Sequence, residues 1–178
     1  YRKDPENHNR LLIDDEAAGV VRDIFRWKLD GVSTQDIADR LNAAGIPTPM
    51  DYKAAQGIRY QTKFRKKAES AWCAKTVLRI LKNPIYIGTL EQGRTTTPTY
   101  RVKRQVNRPQ SEWAIVENNH DAIIERNDFE TIQRVLALDT RTSVGGEAVE
   151  FFSGLLFCGE CGASMIRKTV SSGKKKYV

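Results

Sequence analysis

Apolar residues recur at helical spacing in several stretches of this chain. Between Asp14 and Leu29, the residues Ala17, Val20, Val21, Ile24 and Phe25 share one stripe, with Asp14 placed to cap that helix and Asp30-Gly31 to stop it. Ser33 and Asp36, three apart, read as a capping-box-like start for a second helix with Ile37, Ala38 and Leu41 on its inner face. Gly45, Pro47 and Pro49 end it. A third helix is expected from Ala74 to Asn83, anchored by Ala74, Val77, Leu78 and Leu81 and terminated by Pro84. A fourth opens near Asn127 and Glu130 and carries Phe129, Ile132, Val135 and Leu136. Ile85-Tyr86-Ile87 and Trp113-Ala114-Ile115-Val116 read as short strands, and the polar segment Gln92 to Ser111 between them as a hairpin or wing. Residues 1–12 are polar and expected to be irregular; residues 50–70, basic and weakly periodic, read as a mobile loop. The pattern predicts an α+β class: a helix-turn-helix-like mixed domain with a basic β-hairpin or wing over 1–138, a polar linker over 139–149, and over 150–178 a small second unit that the Cys158-Gly159-Glu160-Cys161 knuckle marks as a partial zinc ribbon.

Charge sharpens this outline. Lys and Arg number 29 against 22 Asp and Glu, a net charge of +7 in 178 residues. The excess is zoned: Arg59 to Lys82 holds eight basic residues and one acid, Glu69, while Arg94 to Arg108 holds five and no acid. Such zoning favours an electrostatic footprint for an anionic polymer. No run of about 18 apolar residues exists to cross a bilayer. The odd cysteine count, with no signal core, points to a reducing cytoplasm. Two histidines leave little acid–base capacity near neutral pH. No catalytic triad, phosphate loop, acid pair or cofactor loop is visible, so neither a self-contained enzyme nor a small-molecule substrate is expected.

The third helix carries the leading candidates. Lys75, Arg79 and Lys82 fall at i, i+4 and i+7 opposite the apolar stripe, with Thr76 and Asn83 beside them. A recognition helix needs such an anchored side and such a cationic side to enter the major groove of double-stranded DNA. Arg79 suits guanine O6 and N7, whereas the lysines suit phosphates. Lys66 and Lys67 in the loop, and Arg101, Lys103, Arg104 and Arg108 in the wing, are read as backbone contacts. Arg141 is read as a minor-groove contact. The competing readings are an amphipathic helix turned to water, and a basic RNA-binding or protein-interaction module. Cys158-Gly159-Glu160-Cys161-Gly162 has the form of half a tetrahedral zinc site, in which backbone N–H groups face the sulfurs; a redox pair or inert thiols are the alternatives. His8 and His120 have no ligand spacing. Cys73 is expected to be buried.

Taken together, Leu12-Ile13-Asp14, Val21-Arg22-Asp23-Ile24-Phe25, Ile37 to Asn42, Gly45-Ile46-Pro47-Thr48-Pro49, Trp72, Val77 to Ile80 and Leu81 to Gly88 resemble the recombinase domain of large serine recombinases. Phe152 to Gly162 looks like the start of that family's zinc ribbon. The resemblance implies a site-specific recombinase of phage-integrase or mobile-element type, acting in the bacterial cytoplasm on attachment-type duplex sites, and assembling as dimers and tetramers. It also implies a serine nucleophile in a catalytic domain that this chain does not contain, so none of Ser33, Ser70 and Ser153 is assigned that role. Zn2+ is implied for the intact protein, of which Cys158 and Cys161 would supply half the ligands.

Overall fold

Capping side chains and buried stripes set the first two helices where the periodicity placed them. The computed structural model of the chain describes residues 1–7, 9–57, 70–99, 101, 104–137, 155–163, 165, 170–172 and 175–177. Two compact units are present, Tyr1–Ile132 and Gln133–Val178.

In the first unit, α1 (Asp15–Leu29) begins at Asp14, whose Oδ1 accepts from the Ala17 N–H at 3.4 Å. Asp15 and Glu16 lie in its first turn and Arg26 and Lys28 in its last, which suits the helix dipole at both ends. Its buried side is Ala18, Val21, Ile24 and Phe25, rotated slightly from the expected stripe: Ala18 is in, while Ala17 and Val20 are only half-buried. The second helix, α2 (Thr34–Ala43), starts as expected, with Ser33 Oγ accepting from Asp36 N at 3.1 Å and donating to Asp36 Oδ2 at 2.7 Å. Ser33 is therefore a cap. Ile37, Ala38 and Leu41 are its buried face.

Residues 49–55 correct the loop expectation. They form a short helix, α3 (Pro49–Ala55), capped by Thr48. Pro49 was read as a terminator, but it occupies the first helical turn, where a missing N–H costs nothing. The Tyr52 hydroxyl sits 3.0 Å from Asp14 Oδ1 and 3.2 Å from Glu16 Oε2, tying α3 to the start of α1. Residues 58–69 lie outside the described residues.

The recognition-helix candidate is α4 (Ala74–Leu81), two residues shorter than expected. Its buried residues are Val77, Ile80 and Leu81; Ile80 replaces Leu78, which is half-buried. After it, Ile85-Tyr86-Ile87 is not a strand. Asn83 Oδ1 accepts from Ile85 N at 3.2 Å and starts a 3-10 turn over Pro84–Ile87. Gly88 closes that turn at φ 80°, and a side chain there would meet the His120 carbonyl oxygen at 2.6 Å. Only glycine fits both demands. Tyr86 then serves the core: its carbonyl accepts from Ile123 N and Ile124 N at 2.9 and 3.0 Å, and its ring meets Phe25 edge-on at 6.1 Å.

Pairing resumes at β3 (Leu90–Gln92), antiparallel to β6 (Ala114–Val116) with Leu90 opposite Val116. Inside that pair lies a second, β4 (Thr95–Thr96) with β5 (Val106–Asn107). The two pairs nest as one exposed ribbon, with the described residues 97–99, 101, 104 and 105 at its far end. Residues 1–12, expected to be irregular, hold an antiparallel pair, β1 (Arg2–Lys3) with β2 (Leu11–Leu12). The polar composition hid it because each strand is only two residues long. Tyr1 anchors this hairpin by donating from its hydroxyl to Asp121 O at 2.9 Å, and burial pushes its phenol up to about 12.

The last helix, α5 (Arg126–Ala137), buries Phe129 and Ile132 in the first unit and runs into the second. The expected linker, 139–149, lies outside the described residues. In the second unit β7 (Val170–Ser172) pairs antiparallel with β8 (Lys175–Tyr177).

Candidate nucleic-acid interface

α4 separates its residues as a groove-reading helix must. Val77 and Leu81 are fully buried and Ile80 nearly so, whereas Lys75, Arg79 and Lys82 are exposed. Among the described residues, none of these three cations forms an ion pair. The first turn of α4 contains no acid. α2 packs more extensively on α4 than any other helix does.

The entrance to α4 is fixed by contacts that the sequence analysis did not anticipate. Trp72 is buried, and its main-chain N–H donates to Asn42 Oδ1 at 2.8 Å. Its carbonyl accepts from Asn42 Nδ2 at 3.0 Å, and its indole N–H donates to Ile46 O at 2.9 Å. The end of α2 thus grips the residue two before α4. Sequence spacing could not reveal a pair 30 residues apart; the only signal was an Asn on a helix that has no other use for it.

Cys73, expected to be buried, is the exposed N-cap residue of α4. The Thr76 hydroxyl, 3.3 Å from its sulfur, is the main influence lowering its thiol pKa; the Thr76 and Lys75 N–H groups and the Arg79 charge add to this. A thiol fits there because the first-turn N–H groups face it. Thr76 is accordingly partly committed to Cys73. Asn83 is exposed, but its side-chain carbonyl is committed to the 3-10 turn, leaving its amide nitrogen for any outside contact.

The ribbon's base treats its cations differently. Arg94 pairs with Glu91 and lies over the Trp113 ring with its guanidinium carbon 4.8 Å from the centroid. Arg108 reaches Glu112 Oε2 at 2.9 Å, and the Trp113 indole N–H donates to Arg108 O at 3.0 Å. Arg108, expected to serve as a backbone contact, is thus engaged within the protein. Arg101 and Arg104 are exposed near the far end. Lys66, Lys67, Lys103 and Arg141 lie outside the described residues.

In the second unit, Cys158 and Cys161 flank a tight turn in which Gly162 N donates to Cys158 O and Cys158 N to Ala163 O, both at 2.9 Å. Gly162 adopts φ 67°, a left-handed conformation that glycine takes without strain. The N–H groups of Cys161 and then Glu160 lower the Cys158 thiol pKa. That arrangement fits half of a thiolate metal site. Among the described residues no cluster of three or more His, Cys, Asp and Glu completes it. No helix among the described residues is long and apolar enough to cross a membrane.

Comparison with known proteins places these features. A 114-residue segment is 32% identical to "Uncharacterized protein YefB" of Bacillus subtilis (strain 168), covering 64% of this chain and 37% of that one. Over 182 aligned residues the chain is 28% identical to "Putative DNA recombinase" of the same organism, covering 94% of this chain and 33% of that one. The chain thus spans about a third of the length of these relatives. Among solved structures, a crystal structure of a LSR–DNA complex shares 19% identity at a TM-score of 0.46, over 99% of this chain and 43% of that one. A structure from work on the Listeria innocua prophage attP site shares 20% at 0.47, over 93% and 55%. Residues 15–138 match the sequence model of the family described as Recombinase, and residues 151–178 that of the Recombinase zinc beta ribbon domain. The chain belongs to the recombinase family.

Proposed function

We propose that this chain binds double-stranded DNA in a sequence-selective way, as the DNA-binding part of a site-specific recombinase of the large serine type. In this reading α2 and α4 act as the two members of a helix-turn-helix-like unit whose turn is replaced by α3 and the segment after it. α4 enters the major groove, Arg79 contacts a guanine edge, and Lys75 and Lys82 hold phosphates on either side. The ribbon serves as a wing along the backbone, with Arg101 and Arg104 nearest its tip; Lys103 is a further backbone contact of this segment. Lys66 and Lys67 add phosphate contacts and Arg141 a minor-groove contact. The serine nucleophile belongs to another domain of the intact protein, which this one positions at the crossover site. Dimers and tetramers are states of that intact protein, and a cytoplasmic location follows from its substrate. Residues 1–138, 139–149 and 150–178 are the corresponding domain, linker and zinc ribbon, with Cys158 and Cys161 as two of four Zn2+ ligands. When bound, the metal would crosslink the ribbon and supply no chemistry.

One observation carries this reading: three cations with no carboxylate partner among the described residues project from a helix whose other side is locked in the core. The similarity to a protein named as a DNA recombinase over 94% of the chain supports it. Titration of duplex binding against salt tests it. With roughly five to eight phosphates neutralised, log affinity should fall with log salt at a slope of about −4.5 to −7. A slope near zero removes the electrostatic basis. Equal competition by duplex RNA would favour an RNA-binding module instead, because the A-form major groove is too narrow for α4.

A further inference from the structure

We propose that Asn42 is a positioning residue for α4, setting the rotation at which its cationic side meets DNA; the inference rests on the proposed DNA-binding role. Sequence order alone does not fix where α4 begins. Thirty positions separate Asn42 from Trp72, and the bonds between them join the end of one helix to the approach of the other. The Asn42 amide matches both main-chain groups of Trp72 at once, accepting from its N–H at 2.8 Å and donating to its carbonyl at 3.0 Å. Only a side-chain amide offers a donor and an acceptor side by side in this way. Asp lacks the donor and Ser cannot span both groups.

The consequence for recognition follows from helix geometry. Sliding the chain by one residue through the core contacts would turn the exposed face by about 100°. That turn would carry Arg79 off the outward stripe and bring another side chain into its place. The buried side chains of Val77, Ile80 and Leu81 resist such a slip through shape, and aliphatic side chains of similar size repack at modest cost. The Asn42 grip is directional where those contacts are not. The indole bond from Trp72 to Ile46 O secures the side chain of the gripped residue rather than its main chain. Asn42 itself lies at the exposed end of α2 and contributes little burial. Its two bonds therefore act on register more than on overall stability.

The test uses the full chain and a duplex that the unaltered protein enriches from a randomised pool, with a shuffled duplex of equal length as the reference. Asn42→Ala should reduce the ratio of enriched to shuffled affinity by about tenfold, the worth of one good base contact, while leaving the salt slope and far-UV helix signal unchanged. A merely structural role would lower the melting temperature and leave the ratio intact. Trp72→Phe keeps the Asn42 grip on the main chain and should retain the ratio. An Asn42→Ala chain that is folded and still discriminates overturns the proposal. So does a Trp72→Phe chain that loses discrimination, and that variant decides the matter if Asn42→Ala does not fold. If the unaltered chain enriches no duplex and its binding ignores salt, the DNA-binding reading fails instead.

Discussion

The α4 surface and the ribbon base are both rich in basic residues, yet their cations are in opposite states. Lys75, Arg79 and Lys82 have no carboxylate partner among the described residues, whereas Arg94 is held by Glu91 and Trp113, and Arg108 by Glu112. Charge counted along the chain treats the two segments alike. A phosphate does not. It gains a full charge–charge interaction with Arg79, but must first displace a carboxylate to gain one with Arg108. The ribbon's ion pairs are surface pairs worth about 0.2–1 kcal/mol each, so their use is mainly geometric: they fix where the two guanidinium groups sit. The free stripe is the opposite case, an interaction prepared and left open.

Replacing Lys75, Arg79 and Lys82 together by Ala is the strongest way to break this comparison. Removing two phosphate contacts and one base contact should flatten the salt slope by about 1.8 and lower duplex affinity on the order of a hundredfold, read by fluorescence anisotropy. The matched control, Arg94→Ala with Arg108→Ala, should change the slope far less. Equal losses from the two variants would mean that self-pairing does not decide which cations bind. Next in size is Trp113→Ala. It removes the indole bond to Arg108 O and the platform under Arg94, so the ribbon should open more often by about 1–2 kcal/mol. Amide exchange at Val106, Asn107 and Ala114 should quicken accordingly, with α1 and α2 protected as before. Unchanged exchange would show that strand pairing alone holds the arm.

Cys73 offers a smaller, local readout of the α4 side. It is exposed, and its thiol is lowered chiefly by the Thr76 hydroxyl, so it should alkylate readily near neutral pH. Saturating duplex should slow that reaction severalfold, as followed by peptide mass spectrometry. Equal rates with and without DNA would place the bound duplex away from the N-terminal end of α4.

How much of this was legible in the sequence follows the range of the interactions concerned. α1 and α2 were, because their caps Asp14 and Ser33 and their apolar stripes are local signals within a few residues. So was the α4 stripe, since i, i+4 and i+7 spacing is a property of the helix alone. α3 was not, because Pro49 is ambiguous: a proline can follow one helix or open the next, and only Thr48 with Asp51 distinguishes the two. Ile85-Tyr86-Ile87 misled for a similar reason. Three consecutive apolar residues suit a strand, but Asn83 and Pro84 before them build a 3-10 turn from which the Tyr86 ring reaches Phe25. What lay beyond reach was every contact spanning the fold, including the Asn42 grip on Trp72. The ribbon's pairings had a local trace in Glu91 with Arg94 and Arg108 with Glu112, three and four positions apart.

The finest test of the comparison converts one region toward the other. Glu91→Gln with Glu112→Gln leaves Arg94 and Arg108 in place and removes only the charges that hold them. If availability is what separates the ribbon base from α4, both arginines become free to meet phosphates, and the salt slope should steepen by up to about 1.8, at a stability cost below about 1 kcal/mol per pair. The gain should fall short of that limit. Arg94 remains over the Trp113 ring, and that cation–π contact continues to compete with a phosphate. Arg108 has no such second hold on its guanidinium among the described residues, so Glu112→Gln alone should deliver the larger share of the change. A double variant with the parent's slope would mean that the ribbon base stands clear of the duplex, leaving the arm's contacts to its tip.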